Sequence, residues 1–191
     1  MRMGHGIKCD VFQIRLLWDD PNANMDYSAL LITKDKKILS EDYFIFFNSK
    51  CRLSQDCSHL LSRPVARKDW WDSHPCDPEM SIIGSCDCSD DNLEDDAEEC
   101  DYEWFKVDLN RIRKEIYEVV FVASIYDDRY YPQGRMRVQM VENGIVFFDV
   151  EYRTCRAVET IKLIRINNDW IVESLGIEHS KGLVDIVELY C

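Results

Sequence analysis

The stretch RMRVQMVENGIVFFDV, residues 135–150, carries the clearest fold signal in the chain. From Arg135 to Val141 polar and apolar side chains alternate strictly, which is the pattern of a strand with one face in water. Asn143-Gly144 follows, and this dipeptide strongly favours the tight turn between two antiparallel strands. The apolar run 145–150 supplies the second strand. These residues therefore predict a β-hairpin.

Similar short apolar runs lie on both sides of this hairpin, separated by turn residues. Few segments have the 3.6-residue period of a helix: Asp108 looks like the N-cap of a short helix that continues to about Ile116, and Lys181–Leu189 fits a short terminal helix. Many short strands with few helices predict a mainly β protein, a two-sheet β-sandwich with one or two short helices. The other predicted strands are Val11–Trp18, Ser28–Thr33, Tyr43–Phe47, Val119–Ile125, Glu159–Ile166 and Trp170–Ser174.

The strand pattern stops between residues 49 and 100. This stretch holds six of the nine cysteines, and from Cys76 to Glu103 it has twelve acidic residues and no Lys or Arg. Such a length without periodicity is unusual inside a compact domain and is generally functional or disordered. We interpret residues 1–191 as a single domain and residues 49–100 as a long acidic, cysteine-rich insert within it.

The charge distribution limits the classes of partner. The net charge is −13, and the twelve acidic residues between Cys76 and Glu103 account for nearly all of it. That stretch repels nucleic-acid phosphates and attracts cations or basic partners, so nucleic acid is not an expected partner. The sequence has neither a secretion signal nor an apolar run of the roughly 18 residues that span a bilayer. We therefore expect a cytoplasmic protein that is not an integral membrane protein.

Five blocks of the sequence resemble, in the same order, the motifs of one known domain family. Leu17–Asp19 and Asn24–Ala29 are similar to its "WD…DLDASA" segment, and Tyr43–Asn48 is similar to its "DFVFYN" segment. These are motifs of the TerD domain of tellurium-resistance proteins, and by this resemblance the chain is identified as a divergent member of that family with a cysteine-rich acidic insert. The other blocks are Asp101–Leu109, Val119–Ile125 with Gln133 and Arg135, and Glu159–Trp170 with Gly176, Gly182 and Leu183.

The resemblance implies a TerD-like β-sandwich and a calcium-binding stress-response protein that acts as a non-catalytic binding module. Its implied partners are other proteins of a stress complex, including membrane-associated ones. Calcium takes six to eight oxygen ligands, which loops at one end of a sandwich can bring together. Carried over position by position, the family's acidic loops place the implied metal ligands at Asp26, Asn48, Glu99, Asp101 and Glu103.

The sequence also departs from the family pattern. Asn24 and Tyr102 stand where the family has acidic residues, and Cys100 stands where it has a glycine. These departures favour an alternative, a structural or protein-interaction domain whose metal site is degenerate and whose acidic run is a solvated loop.

The cysteines leave a further alternative open. Zinc could bind in the insert at Cys51, Cys57, Cys86 and Cys88, although their spacing lacks the paired knuckles of structural zinc sites and ordinary reduced thiols also account for them. No catalytic motif is present in the sequence, so we do not expect an enzyme.

Overall fold

The computed structural model describes residues 4–47, 49, 74–85, 102–125 and 129–191. They form eleven strands, a 3-10 helix at Glu41–Tyr43 and one α-helix, α1, at Leu183–Leu189. None of the helices in the described ranges is long and apolar enough to cross a membrane. The strands are β1 (His5–Gly6), β2 (Val11–Trp18), β3 (Met25–Thr33), β4 (Phe44–Ile45), β5 (Ile82–Gly84), β6 (Glu103–Asp108), β7 (Ile116–Ile125), β8 (Arg135–Glu142), β9 (Ile145–Arg153), β10 (Ala157–Ile166) and β11 (Asp169–His179).

The strands form two antiparallel sheets, which confirms the predicted mainly β, two-sheet fold. One sheet has six strands in the order β1-β11-β10-β7-β3-β4, and the other has five in the order β5-β6-β2-β8-β9. The main core lies between them, where alternate residues of each sheet meet. Phe105 of β6 and Phe121 of β7, for example, are both buried, and their ring centroids lie 5.5 Å apart.

Two adjacent interior strands of the six-stranded sheet, β7 and β3, are buried on both faces. Their inward residues join the core between the sheets, whereas Leu30, Ile32, Val120 and Val122 form a second apolar cluster on the outer face. Helix α1 covers that outer face and inserts the fully buried Ile186 into the cluster. The unbroken apolar runs of β3 and β7 are thus explained by the burial of both faces.

The hairpin predicted at residues 135–150 is confirmed. Strands β8 and β9 pair antiparallel, and Asn143 and Gly144 connect them. Both turn residues have positive φ, 49° for Asn143 and 80° for Gly144. A turn of this kind matches the right-handed twist of the flanking strands, and Asn and Gly adopt it at the least steric cost.

Part of the stretch 49–100 belongs to the five-stranded sheet. Strand β5 pairs with β6, and residues around it form a small apolar cluster in which Cys76, Met80 and Ile83 pack with Trp104. The sequence did not indicate this strand, because its three residues are too few to show a period. The buried Asp77 carboxylate closes the turn before β5 by accepting hydrogen bonds from the Ile82 N–H (2.7 Å) and the Ser81 hydroxyl (2.8 Å). Burial raises the pKa of this carboxyl.

The helix predicted from Asp108 to Ile116 is wrong. Asp108 ends β6, Ile116 begins β7, and residues 109–115 form turns between them, although the apolar side chains Leu109, Ile112 and Ile116 are buried as the pattern indicated. In such a helix the Ile116 N–H would donate to the Ile112 carbonyl. Here the Ile116 N–H donates to the Arg113 carbonyl at 3.0 Å, and the Arg165 guanidinium donates to the Ile112 carbonyl at 2.9 Å. Tertiary hydrogen bonds thus satisfy the backbone of this segment without a helix.

The other predicted elements differ from the structure mainly in their ends. The run Tyr43–Phe47 contains only the two-residue strand β4, since Tyr43 ends the 3-10 helix. Helix α1 begins at Leu183, two residues after the predicted start at Lys181. Several strands are longer than predicted, and β11 extends to His179 rather than Ser174.

We expect Gly144→Ala to destabilise the protein by about 1–2 kcal/mol, since a Cβ is disfavoured at positive φ. Gly6→Ala is the matched control, because a Cβ added at either glycine meets no other described heavy atom within 4 Å, and the φ of Gly6 lies outside the positive range. The control should change the free energy of unfolding by less than about 0.5 kcal/mol. Denaturant unfolding of both variants measures this, and equal losses would contradict a backbone origin.

Candidate metal centre

A small cavity lies where the ends of β3, β5 and β6 meet. Its volume is ≈ 20 Å³, enough for about one water-sized particle. The six-stranded sheet contributes Asp26 and Tyr27, and the five-stranded sheet contributes Gly84 and Glu103. The described residues that line it are Asn24, Asp26, Tyr27, Phe47, Pro75, Gly84, Ser85 and Glu103.

Two carboxylates from different sheets line this cavity. Asp26 is the second residue of β3, and Glu103 is the first residue of β6. Both side chains are partly buried. Asn24 and Ser85 add an amide and a hydroxyl, and none of the described lining residues is basic. The cavity therefore collects oxygen atoms and negative charge, the chemistry that a hard cation requires.

The Glu103 side chain is held in place by the segment that contains β5. The Ser85 hydroxyl donates a hydrogen bond to the Glu103 carboxylate and accepts one from the Trp104 N–H at 3.2 Å. The Ser85 N–H in turn donates to the Trp104 carbonyl at 2.8 Å. These bonds join the end of β5 to the start of β6, so Glu103 is fixed to a paired backbone.

Tyr27 anchors this part of β3 in the core. The Tyr27 ring packs against Phe105 and Phe121 with centroid distances of 5.5 and 5.8 Å. Its hydroxyl is hydrogen-bonded to the Thr160 hydroxyl at 3.1 Å, and burial strongly raises the pKa of Tyr27. Tyr27 is thus a neutral structural residue, and the charge at the cavity comes from its neighbours.

The structure brings together two of the five predicted metal ligands. Asp26 and Glu103 line the same cavity, while Asn48, Glu99 and Asp101 lie outside the described residues. Phe47, which precedes Asn48, also lines it. The candidate zinc ligands Cys51, Cys57, Cys86 and Cys88 likewise lie outside the described part of the chain. Within that part, no three His, Cys, Asp or Glu residues are grouped closely enough to hold a metal ion.

Sequence reasoning missed Ser85 as a residue of this site. It lies in the stretch 49–100, where the strand pattern fails, and the short apolar run before it is the sole local signal. The family pattern marks Asn24 only as a replacement for an acid, yet Asn24 lines the cavity beside Asp26. Both residues reach the site through tertiary pairing.

Comparisons with known proteins show the family of the chain and solved structures with the same fold. The family model of the TerD domain matches residues 77–190. The chain belongs to the TerD-domain family. The match begins at residue 77, inside the stretch 49–100, and therefore includes strand β5, which belongs to the five-stranded sheet. No curated protein sequence matches the chain.

Two solved structures have the same fold as this TerD domain. One is a protein of unknown function, SAV2460, with a TM-score of 0.60 and 13% sequence identity, covering 93% of this chain and 94% of that one. The other is SCO6318 from Streptomyces coelicolor A3(2), a homologue of the telluride resistance protein TerD. Its TM-score is 0.59 at 12% identity, over 93% of this chain and 95% of that one.

The neighbouring acidic residues Asp19 and Asp20 connect the loop after β2 to the segment that leads into β8. The Asp20 carboxylate accepts hydrogen bonds from the Gln133 N–H (2.9 Å), the Tyr130 hydroxyl (2.8 Å) and the Asn22 N–H (3.0 Å). Asp19 accepts one from the Arg135 N–H at 2.6 Å. The bonds from Gln133 and Tyr130 lower the pKa of Asp20 below its ordinary 3.8. These acids thus tie the loop after β2 to the residues before β8.

We expect Asp20→Asn to be less stable than the wild type at pH 7, with a gap that closes in acid. A carboxyl with a lowered folded-state pKa contributes stability above its ordinary pKa of 3.8. That contribution is lost as the pH falls through the lowered pKa. Denaturant unfolding of both proteins from pH 7 down to the acid range measures the gap. A gap that stays constant over the whole range would contradict this role for Asp20.

Proposed function

We propose that this protein is a cytoplasmic calcium-binding module of the tellurium-resistance type that acts in a stress response without catalysis. The observation that carries the proposal is the meeting of Asp26 and Glu103, from two different sheets, at one small cavity with Asn24 and Ser85. Membership of the TerD-domain family adds support. The partners we propose are other proteins of a stress complex, including membrane-associated ones.

The donor chemistry at the cavity fits calcium better than zinc. Two carboxylates, an amide and a hydroxyl are hard oxygen donors, whereas the cavity has no thiol or imidazole among its described lining residues. Zinc in structural sites is held by thiolates and imidazoles. Asp26, Glu103, Asn24 and Ser85 would hold the calcium ion. Calcium takes six to eight oxygens, and Asn48, Glu99 and Asp101 stay our predicted sources for the others.

Calcium bound at this cavity would act as a cross-link. Asp26 belongs to the six-stranded sheet and Glu103 to the five-stranded sheet, so one ion would tie both sheets together. Ser85 would add the segment around β5 to the same link. A partner that contacts this end of the sandwich would therefore meet a more rigid surface when calcium is present.

A second candidate function is a protein-interaction domain with a degenerate metal site. It is favoured by the hydrogen bond from the Ser85 hydroxyl to Glu103, which already satisfies part of that carboxylate. It is also favoured by Asn24, which gives the cavity one charge fewer than the family pattern. The two candidates differ in whether calcium binds at all.

We expect calcium to bind the chelator-stripped protein in calorimetry, with magnesium as the ion control. At a calcium concentration of 100 times Kd, linkage stabilises the folded state by about 2.7 kcal/mol, which raises Tm. Asp26→Asn and Glu103→Gln should each remove the binding heat, because each deletes a ligand charge. Asp35→Asn is the matched control, since Asp35 is exposed in a turn and does not line the cavity.

Each outcome of this titration is informative. Calcium heat that persists in both Asp26→Asn and Glu103→Gln would mean that the ion binds elsewhere, for example to the acidic run, which both variants retain. Absence of heat and of stabilisation in the wild type would favour the interaction domain with a degenerate site.

We expect Asn24→Asp to bind calcium more tightly than the wild type, because the charge of the ligands sets calcium affinity. The change adds a third carboxylate to the cavity and restores the acid of the family pattern. Calorimetry should give a Kd lower by about tenfold, which corresponds to 1.4 kcal/mol. An unchanged Kd in Asn24→Asp, beside a wild type that binds, would place residue 24 outside the coordination sphere.

A further inference from the structure

A second, larger cavity lies on the outer side of the six-stranded sheet. It is bounded by the C-terminal end of helix α1 and by the chain from Ile38 to Phe46, beside the edge strand β4. Its volume is ≈ 420 Å³, within the range of about 300–1,000 Å³ that small-molecule sites occupy. It shares none of its described lining residues with the cavity at Asp26 and Glu103.

Both walls of this cavity, named here the helix cavity, are fastened to each other. The Ile38 N–H donates to the Tyr190 carbonyl at 2.7 Å, and the Lys37 ammonium donates to the Cys191 carbonyl at 2.8 Å. The Tyr190 hydroxyl donates to the buried Glu159 carboxylate at 2.9 Å. These bonds fix the end of α1 relative to the chain at Ile38 and to strand β10, so the positions of the two walls are set by the fold itself.

The aromatic side of the helix cavity is also held in place. The rings of Phe44 and Phe46 stack with a centroid distance of 4.6 Å and an angle of 13°. The Ser49 hydroxyl donates to the Phe44 carbonyl and accepts from the Phe46 N–H, both at 2.9 Å. The Ser49 hydroxyl thus holds the backbone at Phe44 and Phe46, which carry the stacked rings, in a turn.

The lining of the helix cavity is mainly apolar, with one charge at its rim. Ile38, Phe44, Phe46 and Val187 provide the apolar surface, and Ser40, Glu41 and Cys191 complete the described lining. An apolar cavity with a few polar groups at one side is typical of a site for a ligand with an apolar body and one polar group. The charge of Glu41 indicates which kind of polar group the ligand carries.

Glu41 is the charged residue of the described lining. Its side chain has no hydrogen bond or ion pair with another described residue, in contrast to Lys37, whose ammonium is bonded to the Cys191 carbonyl. A carboxylate beside an apolar cavity attracts a cation and repels an anion. The Ser40 hydroxyl can accept a further hydrogen bond from the same group.

We propose that the helix cavity binds a small amphiphilic cation, an apolar chain or ring that carries a single ammonium group. The apolar part lies against Phe44, Phe46 and Val187, and the ammonium lies at the Glu41 carboxylate. Burial of the ligand's apolar chain supplies most of the affinity. Each buried methylene group lowers Kd about fourfold, which corresponds to about 0.8 kcal/mol. The exposed Glu41 contributes selectivity for the cation of about two- to fivefold.

The probes that test this proposal are octylammonium, octanol and octanoate, which have the same chain and differ in charge. Titration of the full-length protein by calorimetry should show saturable 1:1 binding of octylammonium, weaker binding of octanol and the weakest binding of octanoate. Butylammonium should bind more weakly than octylammonium, because fewer methylene groups are buried. Equal binding of the three octyl probes, or no saturable binding of octylammonium, would overturn the proposal.

Variants then locate the bound probe. Val187→Phe fills the helix cavity and should abolish octylammonium binding, whereas Val184→Phe on the same helix should not, since Val184 is 67% exposed and outside the lining. Glu41→Gln should leave octanol binding unchanged and lower octylammonium binding to the octanol level. Unfolding curves confirm that each variant is folded. Octylammonium binding that survives Val187→Phe in a folded protein would show that the probe binds another acidic surface.

Discussion

Two adjacent interior strands of the six-stranded sheet, β7 and β3, have apolar side chains on both faces, and neither face can remain in contact with water. The inner face is covered by the five-stranded sheet, and the outer face by helix α1, whose Ile186 is fully buried. Each large side chain buried in this way contributes about 1.5–3 kcal/mol. The need to bury both faces therefore determines the layer order of the protein, which is helix, six-stranded sheet, five-stranded sheet.

Both cavities follow from this layer order. The smaller one lies where strand ends of the two sheets meet, and polar residues at those ends line it. The helix cavity lies where α1 stops covering the sheet and the short strand β4 leaves its edge open. The chemistry of each depends on the residues at the boundary, which are Asp26 and Glu103 in the first case and Glu41 with aromatic rings in the second.

The segment around β5 links the candidate metal centre to the rest of the fold. It completes the edge of the five-stranded sheet, covers Trp104 and positions Glu103 through the Ser85 hydroxyl. The segment itself is held by the buried Asp77 carboxylate and by Glu79, which accepts a hydrogen bond from the Tyr43 hydroxyl at 2.9 Å. Part of the acidity of this TerD domain is therefore structural, as at Asp20, and a count of its acidic residues overstates the number available to a cation.

Local patterns predict the β-sandwich and the β8–β9 hairpin, because alternation and the turn preference of Asn143 and Gly144 depend on neighbouring residues alone. The TerD resemblance likewise rests on short motifs. Other features depend on contacts between residues that are distant in the chain. The Ile112 carbonyl, which would close the last turn of a helix after Asp108, accepts a hydrogen bond from Arg165, and the three residues of β5 form a strand by pairing with β6. The site divides in the same way: Asp26 and Glu103 could be named from the motif, but Ser85 joins them through strand pairing, which local sequence patterns do not encode.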